Sequence, residues 1–268
     1  MPQFDLDRMS VAEFLERFRP EMVPLSHAFS YFFAGLPLTE EDIKEYLEEP
    51  IAALPPSIVK SLPKAQVVLV PFLEKSNGKG GKRHGPISPG SREYILLDKP
   101  PENKASTHFH YRGANGADLV FAVKDTDLAD YHYYFFHEIA ALAEVSLSEE
   151  VRVEYHAMLG DELGAHVHGE VDEQSWHLKQ GLRRRSSKVR RDTKAFHEYA
   201  RLSFIDTLTL YIHGICCDID VETGPRQLPS RVLRKRLMWF ETAFPPPQGY
   251  AVFPEELDAG PPPNAERA

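Results

Sequence analysis

Cysteine is nearly absent from this chain of 268 residues: Cys216 and Cys217 are the only two, and they are adjacent. Neighbouring cysteines rarely bridge, because the ring is strained, so a disulfide framework is excluded and a reducing, cytoplasmic setting is expected. Long apolar runs are missing too. None reaches the roughly 18–20 residues that cross a bilayer. The start, Met1-Pro2-Gln3-Phe4-Asp5-Leu6-Asp7, lacks the basic and apolar parts of a signal peptide. There is no internal repeat at a period of roughly 20–50 residues. No Gly-x-Ser-x-Gly elbow occurs, which removes that type of serine hydrolase. Gly78-Lys79-Gly80-Gly81-Lys82 lacks the Lys-Ser/Thr pair of a phosphate loop.

What is present is ordinary for a globular protein: 42% hydrophobic, 26% charged and 11% aromatic residues. Such a chain is long enough to bury a sizeable core. Its net charge of −9 argues against a general nucleic-acid binder. The charge is uneven, however. Residues 179–194 hold eight Lys or Arg against one Asp, a basic run that reads as a solvated inter-helix segment or as a surface for an acidic partner.

Three regions follow from the patterning. Residues 1–62 read as a helical segment, with helical spacing over Val11 to Phe18 and Thr39 capping an acidic first turn. Residues 63–244 read as an α+β core. Its strands are expected at Gln66 to Leu73, Glu93 to Asp98 and Asp118 to Asp125, with an irregular Gly- and Pro-rich loop over 76–92. Helices are expected over Leu128 to Val145, from Ser148, over Glu170 to Leu182, over Asp192 to Cys217 and from Pro229-Ser230 to Phe244. Residues 245–268 hold seven of the 22 Pro and read as an irregular tail. The order gives an α+β fold: about three strands packed with a mainly helical C-terminal half.

The most informative stretch is Tyr134-Phe135-Phe136-His137-Glu138-Ile139-Ala140-Ala141-Leu142. A helix places residues 137, 141 and 144 on one face. A polar His-Glu pair on so apolar a helix invites a functional explanation. Downstream, His166-Val167-His168-Gly169-Glu170 and Val171-Asp172-Glu173-Gln174-Ser175-Trp176 form an acidic opening to a later helix. Together these elements resemble the zincin-type, Glu-zincin-like metallopeptidases, over roughly Asp118 to Gln180. The second histidine of the His-Glu-x-x-His motif is replaced by Ala141.

The resemblance implies a zincin-like core that binds Zn²⁺ and hydrolyses a peptide or amide bond of a peptide or protein substrate. His137 would be a metal ligand, Glu138 the general base, and Glu170 or Glu173 the carboxylate ligand. His166 and His168 are substitute ligands, since with Glu170 they form a His-x-His-x-Glu cluster. Ala141 leaves the second ligand position unfilled, so the site reads as degenerate. A separate His108-Phe109-His110 pair has the spacing of a cupin strand but lacks the downstream Glu, and reads as an exposed loop at a strand edge. The alternative to a hydrolase is a non-catalytic interaction protein that uses the basic run 179–194 and the Pro-rich tail.

Overall fold

The computed structural model describes residues 9–75, 93–113, 116–185, 193–217 and 226–253. The expected loop over 76–92, the middle of the basic run and the end of the tail lie outside them. The chain divides into two compact units, one from Met1–Pro50 and Leu62–Glu138, the other from Ile51–Ser61 and Ile139–Ala268.

The first unit holds two sheets. In chain order its elements are β1 (Met9–Ser10), α1 (Val11–Phe18), β2 (Val23–Pro24), β3 (Phe29–Phe33) and α2 (Glu40–Ile43). A π-helical turn over Lys44–Glu48 leads from α2 into α3 (Glu49–Ala52), which is followed by α4 (Pro56–Ser61), a helix of the second unit. The strands β4 (Ala65–Val70), β5 (Phe72–Lys75), β6 (Glu93–Leu96), β7 (Ala105–Ser106), β8 (His108–Gly113) and β9 (Gly116–Ala122) come next. One sheet has the order β1-β6-β5-β7, the other β2-β3-β4-β9-β8. In the second sheet β3, β4 and β9 are parallel, and β8 runs antiparallel along β9 as the edge strand.

The fold is α+β, as expected, but the sheet content is richer than three strands. The single strand expected over 66–73 is broken at Pro71, and its halves enter different sheets. Proline donates no ladder hydrogen bond, so a strand changes course there cheaply. The region read as wholly helical before residue 62 also contributes β2 and β3 to the five-stranded sheet. The aromatic run Phe29-Ser30-Tyr31-Phe32-Phe33 suits a pleated, half-buried surface better than a helix.

Helix α1 fastens this unit. Ser10 caps it in a reciprocal capping box with Glu13. Its buried stripe of Val11, Phe14, Leu15 and Phe18 packs with Val68, Val70, Leu73, Ile95 and Val120 from both sheets. Aromatic rings extend the contact, with Phe14–Phe18 centroids 4.6 Å apart and Phe18–Phe32 5.1 Å apart. Full burial of such side chains contributes about 1.5–3 kcal/mol each.

After β9 the chain enters α5 (Leu128–Val145), then α6 (Glu149–Gly164), α7 (Glu173–Arg185), α8 (Lys194–Cys216) and α9 (Ser230–Ala243). Ser148 and Thr193 cap α6 and α8 through their side chains. Cys216 and Cys217 close α8 without forming a disulfide. Among the described residues, no helix is long and apolar enough to cross a membrane.

Candidate functional site

Three polar side chains of the first unit meet on an element boundary that the sequence only half reveals. Residues two apart on a strand share a face. In β8 this puts His108 and His110 on one face, while the ladder to β9 fixes their height through His108↔Phe121 and His110↔Leu119. The chain then leaves β9, turns at Thr126 and begins α5. Tyr131 and Phe135 seat that helix on the sheet, each with its ring near Phe121 (5.2 and 6.1 Å between centroids).

One turn after Tyr134, Glu138 lies between the two imidazoles. Its Oε1 is 3.0 Å from His108 Nε2 and its Oε2 is 2.5 Å from His110 Nδ1.

Glu138 is only 3% exposed. Burial alone would push its carboxyl up. The hydrogen bonds and charge of His108 and His110 outweigh that and hold it well below the usual carboxylate range. Glu138 is therefore ionised at neutral pH. His108 Nε2 faces this acceptor and donates to it. Thr107 Oγ1 lies 3.0 Å from His108 Nδ1. The Tyr134 hydroxyl touches Thr107, and its ring stacks on His108 at 5.0 Å. A chain of polar groups thus runs from exposed Thr107 through His108 to buried Glu138 and on to His110.

The His108/His110 pair, expected as an exposed loop, is a half-buried edge strand. The missed signal was the alternation of His108, His110 and Arg112 with Phe109 and Tyr111 just before a Gly turn and an apolar strand. That is a hairpin pattern, and it places the pair beside whatever helix follows.

The other expected ligands have different surroundings. His137 is half-buried, with its ring 6.4 Å from Tyr133. Ala141 lies one turn further along α5 and is also half-buried. Glu144 pairs with Arg152 at 2.9 Å.

In the second unit Glu170 is fully buried at the centre of an ion network. Arg236 donates to its two oxygens at 2.8 and 2.9 Å, Lys179 at 3.0 Å and Tyr199 at 2.5 Å. Arg236 also grips Glu162, at 3.0 and 2.6 Å. Burial raises the Glu170 carboxyl, but the charge of Arg236 prevails and brings it down to about 2.

A Zn²⁺ ligand needs a free lone pair and no adjacent cation. Glu170 has both oxygens engaged by a guanidinium and an ammonium, so it does not fit the ligand role read from the sequence. His166, held at a positive φ of 56°, and His168 are exposed while Glu170 is buried. The His-x-His-x-Glu stretch therefore passes from solvent into the core and gathers no shared coordination sphere. Glu173 is exposed and pairs with Arg226 at 2.9 Å.

His108, His110 and Glu138 offer a better donor set. Two imidazoles and a carboxylate are the common ligands of zinc. Each ring has a nitrogen within 3.0 Å of a Glu138 oxygen. No protein-family model, curated protein or solved structure matches the chain. The chemistry of the site is then the sole guide to function.

Proposed function

We propose that the protein is a metal-dependent hydrolase of amide or peptide bonds whose metal is held by the His108/His110 pair of β8 and not by His137 and the residue one turn after it. The carrying observation is the meeting of these two imidazoles with the buried carboxylate of Glu138. His108 and His110 bind, and the β8–β9 ladder fixes their separation. Glu138 orients both rings and balances charge. It is too weak a base for the proton-abstracting role that the motif assigns, because an efficient general base is matched to the working pH. Zinc held by His108 and His110 would supply a Lewis acid for the scissile carbonyl and would lower the pKa of water. Thr107 and Tyr134 place hydroxyls at the exposed end of the cluster, where a peptide carbonyl or amide would be oriented.

The test is metal analysis of protein purified without affinity metals. About one zinc per chain is expected for the wild type, and none for the double variant His108→Ala/His110→Ala. His137→Ala should keep it. Sub-stoichiometric metal in the wild type, or metal retained by the double variant with its circular dichroism intact, overturns the reading.

A further inference from the structure

Within the second unit, α6 and α8 border a cavity of about 470 Å³. That lies in the range of small-molecule sites, about 300–1,000 Å³. Its floor is apolar and aromatic, made chiefly by Tyr155 and Phe204, whose rings meet edge to face at 5.1 Å. Its rim is polar and mostly cationic. Arg152 is committed to Glu144 at 2.9 Å, so that pair cancels. Lys194 and Arg201, both exposed, make no ion pair among the described residues. Against these two cations stands one rim acid, Glu198, also exposed.

Between the cations sit two imidazoles, His156 and His197, with centroids 5.2 Å apart. Neither is hydrogen-bonded to protein among the described residues. His156 is half-buried, which leaves its ring open to a partner from outside. Burial, and then the neighbouring His197, hold it below its ordinary value, so it is a neutral ring with one N–H to donate. Two imidazoles beside a lysine and an arginine make a poor cation site, because the like charges repel an incoming metal. Two cations and two N–H donors above an aromatic floor suit an anion with several acceptor oxygens and a flat apolar body.

We propose that this cavity binds a small phosphate ester, with its phosphate held by Lys194, Arg201, His156 and His197 and its planar apolar part over Phe204. Neither the His108/His110/Glu138 cluster nor the proposed hydrolysis is needed for this binding.

The test titrates the full chain at low salt with phenyl phosphate, inorganic phosphate and phenol. Calorimetry and the imidazole signals in NMR follow the binding. Phenyl phosphate should saturate and shift the His156 and His197 signals. It should bind more tightly than inorganic phosphate, and phenol should not saturate. Lys194→Gln and Arg201→Gln should each weaken phenyl phosphate by about tenfold, the usual worth of one charge-assisted hydrogen bond. Glu198→Gln should strengthen it, and Lys235→Gln, on α9, should leave it unchanged. All four positions are exposed, so folding is not at risk. Failure of phenyl phosphate to saturate, or an affinity indifferent to both Lys194→Gln and Arg201→Gln, overturns the proposal.

Discussion

A carboxylate buried as deeply as Glu138 would normally take up a proton; two imidazoles from a neighbouring strand keep this one charged. Asp206 in α8 shows the opposite outcome. It is buried beside Asp172 and Glu170, and one of its oxygens has no hydrogen-bond partner. Burial is the main cause that raises its carboxyl to about 8, and the neighbouring acids add to it, so it is protonated at neutral pH. The sign of the linkage follows. The folded value lies above the ordinary aspartate value of 3.8, so the folded state holds the proton more tightly. The stabilisation is complete below that value and is lost as pH rises through about 8. Asp206→Asn should remove this decline, giving a variant more stable than the wild type at alkaline pH when urea unfolding is measured across the range. A wild-type stability that is flat between acid and alkaline conditions would contradict it. At this scale the sequence exposed half of the site. Glu138 and the His108/His110 pair each stood out, but their meeting depends on strand register and helix placement, which no local pattern encodes. Glu170 was legible as an important acid, while its partner Arg236 lies 66 residues away and gave no signal.

Among the elements, the long helices were the most readable. Leu128–Val145 was delimited correctly, the helix expected from Ser148 is capped by that residue, and the one expected from Asp192 starts at Lys194 with Thr193 as its cap. Short strands were not. β3 pairs with β4, a contact distant in sequence, and the two-residue β2 pairs with β3, so the aromatic run at 29–33 suits a strand but its ladder is set by a partner that no local pattern names. The connection from α6 into α7 is held by a backbone contact at Gly169. Its φ is +75°, and a Cβ there would lie 2.0 Å from the Gln227 carbonyl oxygen. Only glycine permits both the left-handed conformation and this approach. Gly169→Ala should therefore cost more than about 2 kcal/mol, beyond the usual range for a surface change, and should disturb the Glu170–Gln227 bridge. Urea unfolding measures the cost, and a loss below about 0.5 kcal/mol would show that the segment can relax.

For the whole molecule, the division into two units assigns each its own core, one centred on α1 and the sheets, the other on the Arg236 network. Both tryptophans, Trp176 and Trp239, belong to the second unit. Their fluorescence therefore reports on that unit, whereas far-ultraviolet circular dichroism sees both. Phe14→Ala opens a cavity beneath α1 and should cost about 3–5 kcal/mol. Arg236→Met leaves buried Glu162 without its counter-ion and Glu170 with Lys179 alone, and should cost a similar amount, about 3–5 kcal/mol. Phe14→Ala should move the dichroism transition and leave the fluorescence midpoint in place, and Arg236→Met should move the fluorescence midpoint. Identical displacement of both probes by both variants would mean that the units melt as one.

The Arg236 network also orders events in time. Glu162 and Glu170 precede their counter-ion by 74 and 66 residues, so a chain emerging from the ribosome presents both acids long before the guanidinium that lets them be buried. Until α9 is made, closing this unit would strand negative charge in its interior. A fragment that stops short of α9 should therefore stay open and solvent-swollen, and a nonsense mutation there would remove far more than a terminal helix.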